Sequence, residues 1–179
     1  MSLKPAKISL SSIDYLVLSK ELSRELQGAW VDNVYSNPEY GYYLIVFRSS
    51  GIVKKLVVMP GESLFLTRRE YPVPSTPESR VLQLRKIVCN LRVESVEQYD
   101  FDRIIIMDLS RKGFKARLIV EGLRRGVIAL VSEDWHILFT SQRIETGART
   151  LREGEKYVFP PSNVFDPREA HESLEDLQK

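Results

Sequence analysis

Two carboxylates and a guanidinium lie within four residues, Asp100-Phe101-Asp102-Arg103, at the mouth of a very apolar run from Ile104 to Met107. An arginine so placed can grip a phosphate or stack on a base, while a neighbouring carboxylate orients it or accepts from a ribose hydroxyl or base amine. The same spacing also makes a structural turn with a surface ion pair worth about 0–1 kcal/mol, and spacing alone leaves both readings open. A second group is the basic stretch Arg111, Lys112, Lys115, Arg117, Arg124 and Arg125, opposed between 111 and 125 by Glu121 alone. Alternate strand residues share a face, so Lys115 and Arg117 are expected to project together, toward a polyanion or simply toward solvent. Tyr40, Tyr42 and Tyr43 offer stacking surfaces for bases, although core packing is expected to claim alternate ones.

The residues that build metal or nucleophilic centres are scarce. With Cys89 as the single cysteine and only His136 and His171 for imidazoles, the chain can assemble neither a disulfide framework nor a helix-spaced ligand pair. Cys89 falls in a helical pattern and reads as a small buried hydrophobe. A Gly-x-Ser-x-Gly elbow, a phosphate loop and a dinucleotide fingerprint are all missing, and Gly122-Leu123-Arg124-Arg125-Gly126 has its glycines at the wrong spacing for any of them. No catalytic residue, cofactor or metal is therefore expected. Met1 to Ser11 lacks the apolar core of a secretory signal, and no run approaches the roughly 18 apolar residues of a membrane span. The expectation is a cytoplasmic protein with no membrane partner.

The elements that must position these groups follow from periodicity. Ser11 or Ser12 can cap a helix with Asp14 in its positive first turn; Ile13, Leu16, Val17, Leu22 and Leu26 give its face and Gly28 its stop, which predicts a helix over Ser12 to Gln27. Strand-like runs follow at Trp30 to Tyr35, Tyr42 to Phe47 and Ile52 to Met59, in a β-region reaching about Leu66. Tyr71 to Pro77, with three prolines, must be extended loop. A second helix is expected over Ser79 to Cys89. Strands are then predicted at Leu91 to Gln98, Arg103 to Leu109, Phe114 to Glu121 and Gly126 to Val131, with a weaker one at His136 to Ser141, and Arg111-Lys112-Gly113 as a hairpin turn. Two runs of strands, each led by a helix, suggest an α+β fold: an antiparallel β-sandwich of two internally similar sheets flanked by helices. The 179 residues suit one domain of this kind with a tail.

Net charge is +2, but five acids and two bases from Asp166 onward make that tail −3 and leave +5 on the first 165 residues. Residues 1–10 read as a leader, with an expression-vector scar as the bland account of Met1-Ser2-Leu3. Residues 11–162 form the domain and 163–179 a linker with an acidic helix. Asp166-Pro167-Arg168-Glu169 would open that helix as the start of a further module.

Taken in order, several short segments resemble the N-terminal domain of the NFACT family, the fibronectin-binding-protein-A-like proteins. They are Ser12-Ile13-Asp14, Val31-Asp32-Asn33-Val34-Tyr35, Leu84-Arg85-Lys86, Phe101-Asp102-Arg103-Ile104, Arg125-Gly126 and Gly154-Glu155-Lys156-Tyr157-Val158-Phe159-Pro160-Pro161. The resemblance implies a fold similar to the N-terminal domain of MutM-type glycosylases. It also implies a role in ribosome quality control: binding stalled large ribosomal subunits with peptidyl-tRNA and engaging aminoacyl-tRNA for C-terminal tailing, with the ribosome itself carrying out peptide transfer. It assigns tRNA engagement to Asp14 and to the pair Asp102 and Arg103. Val127 departs from the family, where asparagine often follows Arg-Gly. Three rivals remain: a MutM-like DNA repair enzyme, disfavoured because Ser2 follows Met1 and no N-terminal amine nucleophile is in place; an extracellular adhesin; and a generic RNA-binding or interaction domain.

Overall fold

The computed structural model describes residues 10–161. In chain order they form α1 (Ser12–Leu26), β1 (Trp30–Asn37), β2 (Tyr42–Ser49), β3 (Ile52–Met59), β4 (Ser63–Thr67), α2 (Ser79–Val88), β5 (Arg92–Gln98), β6 (Ile104–Arg111), β7 (Phe114–Glu121), β8 (Ile128–Ser132), β9 (Ile137–Thr140), β10 (Ile144–Glu145) and β11 (Thr150–Leu151). Both helices end within a residue of their expected limits. β4 is a strand in its own right after the turn at Pro60-Gly61, and β10 and β11, two residues each, are too short to show a period. The leader before Leu10 and the acidic helix expected from Asp166 lie outside the described residues.

The α+β, antiparallel reading stands, with one difference. The two expected sheets are hydrogen-bonded into one of nine strands, in the order β4-β3-β2-β1-β5-β6-β7-β8-β9, with β10 and β11 as a separate pair. The link is a short antiparallel contact between β1 and β5, with Trp30 opposite Arg92. Four backbone bonds surround it: Gly28 N–H to Val93 O, Asn90 N–H to Val31 O, Val31 N–H to Leu91 O and Val93 N–H to Ala29 O, all 2.8 Å. These bonds interchange when Gly28 is swapped for Asn90 and Val31 for Val93, so the junction has an approximate twofold axis. Gly28 and Asn90, each one residue beyond a helix C-cap, are both left-handed (φ 84° and 69°). Both strands also carry an irregularity just past the junction, at Val31/Asn33 and at Val93/Ser95. The internal similarity anticipated from element order is thus real at the level of backbone hydrogen bonds.

One apolar core is shared by the two halves. Val31, Phe47, Leu56 and Leu64 from the first half meet Val93, Ile105, Met107, Leu118 and Leu130 from the second, and Tyr15, Leu22 and Leu26 of α1 with Val81, Leu84 and Val88 of α2 enter the same cluster. Alternate residues face outward, and two smaller clusters cover most of that outer surface. Tyr71 and Val73 of the proline-rich segment pack on Tyr42, Leu44 and Val57. Leu151, Tyr157 and Phe159 pack on Ile104, Ile119 and Val131. Tyr42 is therefore a core residue with Tyr40 stacked beside it (centroids 6.4 Å apart), which leaves half-buried Tyr43 as the freer tyrosine of the three.

Candidate nucleic-acid interface

Asp102 and Arg103 close the loop between β5 and β6. That loop turns through two left-handed residues, Asp100 and Phe101 (φ 48° and 49°), and Asp102 N–H donates to Tyr99 O at 2.9 Å. Asp102 is only 1% exposed, and its Oδ1 accepts from the Arg103 backbone N–H at 2.7 Å. Its Oδ2 is buried with no hydrogen-bond partner. No ion pair joins Asp102 to the Arg103 guanidinium among the described residues, so the structural turn is present without the surface ion pair. A buried carboxylate oxygen without a donor is costly, about 1–3 kcal/mol or more, and such atoms mark places where something else supplies the bond.

Two neighbours share this condition. The Tyr15 hydroxyl and Gln98 Oε1 are also buried and unpartnered. Gln98 Nε2 meanwhile donates to Ser12 O and to Asp102 O, both at 2.8 Å, and so ties the start of α1 to the Asp102 turn. Burial pushes the Tyr15 hydroxyl up to about 12, against the lowering effect of the Arg103 charge. Gly122 lets Tyr15 in: a Cβ there would lie 1.9 Å from the tyrosine oxygen. Gly122 N–H also donates to Arg103 O at 2.7 Å, which joins the β5–β6 loop to the β7–β8 loop.

Asp14 sits at the same end. It is exposed and completes a capping box with Ser11: its Oδ2 accepts from the Ser11 N–H and hydroxyl, both at 2.8 Å, while Ser11 Oγ accepts from Asp14 N–H at 3.2 Å. Those bonds hold its carboxyl below the usual range. Arg124 and Arg125 extend from the β7–β8 loop and are exposed. That loop is buttressed by Gly61, whose N–H donates to Glu121 O at 2.8 Å. A groove of about 370 Å³, lined by Asn37, Tyr43, Glu78, Arg125 and Gln142 among others, opens beside it. Asp14, Asp102, Arg103, Arg124 and Arg125 thus share one end of the molecule.

The other four expected residues do not belong there. Arg111 and Lys112 form the tip of the β6–β7 hairpin, with Lys112 and Gly113 left-handed (φ 46° and 85°). Eight residue steps from Arg103 along β6 put that tip about 27 Å away. Lys115 does share a face with Arg117, but Arg117 is engaged: it lies over the Trp135 ring at 4.5 Å, sits 3.6 Å from Asp108 and donates to Glu133 O at 2.9 Å. The basic stretch is continuous in sequence and divided in space, because a hairpin carries its tip and its base to opposite ends.

A buried lock beneath the Arg124–Arg125 loop was not legible in the sequence. Glu121, fully buried, takes a bidentate pair from Arg149 at 2.7 Å for both bonds, a hydroxyl bond from Tyr157 and an N–H bond from Val127 at 3.2 Å. Burial opposes the Arg149 charge, yet the bonds and charge of Glu121 outweigh it and raise its pKa; burial and Glu121 together push Tyr157 well above the tyrosine range. Phe159 then stacks on Tyr99 of the β5–β6 loop, centroids 3.7 Å apart. Tyr157 and Phe159 belong to a segment already singled out, but Arg149 carried no local signal. Cys89 is half-buried, its thiol pushed up chiefly by burial. Among the described residues no group of three or more His, Cys, Asp or Glu side chains could hold a metal, and no helix is long and apolar enough to cross a membrane.

A family model described as NFACT N-terminal and middle domains matches residues 13–179. Ribosome quality control complex subunit 2 of Saccharomyces cerevisiae is 28% identical over 181 residues, covering 97% of this chain and 17% of that protein. Ribosome quality control complex subunit NEMF of Homo sapiens is 30% identical over 132 residues, 74% of this chain and 12% of that protein. The chain therefore spans less than a fifth of either relative. In fold it is similar to the crystal structure of the N-terminal domain of fibronectin-binding protein PavA from Streptococcus pneumoniae, with a TM-score of 0.80 at 24% identity over 92% of this chain and 68% of that one.

Proposed function

The chain belongs to the NFACT family, and from that premise we propose that it is the RNA-binding module of a cytoplasmic ribosome quality-control factor, engaging tRNA on stalled large ribosomal subunits. The observation that carries this reading is the Asp102–Arg103 turn: a buried carboxylate oxygen with no donor, beside an arginine with no acid partner among the described residues, where the start of α1 meets the Arg124–Arg125 loop. Arg103, Arg124 and Arg125 supply cations for phosphates. Asp102, buried, accepts from the Arg103 backbone N–H and fixes the turn that presents the arginine. Asp14 holds the helix end against which the turn is set. None of these groups makes or breaks a bond; where tailing occurs, the ribosome performs the peptide transfer and this module positions the tRNA.

The double substitution Asp102→Ala with Arg103→Ala is expected to weaken tRNA binding by the parent protein by about 1–3 kcal/mol, the scale of one well-placed arginine contact, without loss of the folded circular-dichroism signal. Arg103→Gln alone keeps the turn's Asp102 bond and should reproduce most of the loss. Affinity should also fall steeply with salt, and the slope should shrink when Arg124 and Arg125 are replaced. Unchanged tRNA affinity in the double variant would sink the assignment.

A further inference from the structure

The outer face of the nine-stranded sheet is covered on both flanks and open at its centre. The proline-rich segment packs over the first half and residues 144–159 over the second, but neither reaches the middle strands β1 and β5 near their junction. There the register sets Arg48, Trp30, Arg92, Ser110 and Lys115 side by side in one row across five strands, β2-β1-β5-β6-β7. Each points outward, because the residues adjoining them in sequence, Phe47, Val31, Val93, Leu109 and Ala116, are all in the core. Four strand spacings make the row about 19 Å long.

Trp30 stands in this row 47% exposed, with an arginine on either side. Arg48 reaches Asp32 at 3.3 Å, whereas Arg92 has no ion pair or hydrogen bond from its side chain among the described residues. Lys115 comes no nearer than 3.9 Å to Glu133. The hairpin turn adds Lys112 beyond the row's far end, and the acids facing these cations are Asp32, Glu133 and Glu94, which accepts from Ser110. Cations therefore exceed acids around an aromatic ring held on a rigid sheet rather than on a loop. Aromatic platforms set in a positive surface are how proteins hold unpaired nucleic acid: bases stack on the ring and phosphates meet the cations.

We propose that this face is a second RNA contact, which takes an unpaired RNA segment with one base stacked on Trp30 and its phosphates on Arg92, Lys115 and Lys112. It shares no residue with the Asp102–Arg103 end and does not depend on that assignment. Binding of a short oligoadenylate to the 179-residue chain, followed by tryptophan fluorescence and anisotropy, tests it. Stacking should quench the Trp30 emission, and the quench should persist in Trp135→Phe and vanish in Trp30→Phe. Trp30→Ala should weaken binding by about tenfold, the order of one lost base stack. Arg92→Ala should lower the salt slope by about one. Asp102→Ala with Arg103→Ala should leave oligoadenylate binding intact. Both exposed-site variants should keep the native circular-dichroism spectrum. The proposal is overturned if Trp30→Ala and Arg92→Ala bind as the parent does. It is equally overturned if duplex RNA shows the same dependence on Trp30, or if polyglutamate displaces the oligonucleotide from a face that gives no quench.

Discussion

Tyr15 is a core residue whose polar end lies beside the Arg103 turn. Its ring is fully buried in the shared core, while its hydroxyl ends without a partner beside Gly122 and the Arg103 backbone. Because the hydroxyl makes no bond in the folded chain, Tyr15→Phe should cost little stability or add some. The substitution should also change the alkaline limb of the stability curve. Burial raises the folded-state pKa to about 12, above the ordinary value of 10.0, so the unfolded chain ionises first and stability falls as pH climbs from about 10 toward 12. Urea denaturation at pH 8 and pH 11 reads both effects: the variant should lose less stability than the parent between the two. An equal loss would mean that Tyr15 does not titrate as its surroundings dictate. The pair Asp102 and Arg103 stands out in sequence as charge at the edge of an apolar strand. Tyr15 and Gln98 do not: Tyr15 lies off the apolar face read for α1, of which Ile13 and Val17 are in fact exposed, and Gln98 only ends a strand.

At the scale of elements, the β1–β5 junction decides how the two halves sit. Its geometry needs a left-handed residue one position beyond each helix C-cap, and the chain meets that need with Gly28 once and with Asn90 once. Glycine takes this conformation without strain, whereas a Cβ costs about 1–2 kcal/mol there, less for asparagine. Gly28→Ala should therefore destabilise by about 1 kcal/mol from the left-handed backbone alone, since the new Cβ would meet the Arg92 guanidinium at an ordinary 3.5 Å, while Asn90→Gly should be neutral or slightly stabilising. Thermal unfolding of the two variants checks the opposed signs. Helices and most strands were legible because each has its own period and punctuation; the residues at Trp30 to Asn37 and Phe114 to Glu121 are strands by alternation alone. The junction was not, since a contact with one paired position leaves no pattern in either strand.

The whole molecule behaves as one unit because its halves share a core. Neither residues 10–78 nor residues 79–161 can bury Val31, Phe47, Ile105 or Leu118 alone, since these side chains meet one another across the join. Each half expressed separately should remain unfolded by circular dichroism and amide dispersion, while the two halves together in one chain unfold in a single transition. A folded isolated half would contradict this. The Glu121–Arg149–Tyr157 lock acts at the same scale, fastening the segment from Thr150 to Phe159 over the second half and under the Arg124–Arg125 loop. By itself the sequence determined the α+β class, the position of nearly every element and the polar pair at the mouth of β6, because these depend on neighbours along the chain. Tertiary structure alone decided that the strands join in one sheet, that Asp102 lies buried with an unpartnered oxygen, that Arg111 and Arg124 stand at opposite ends, and that Trp30 lies between two arginines. Each depends on residues far apart in sequence, whose meeting is set by register and shared burial, and local pattern carries no record of it.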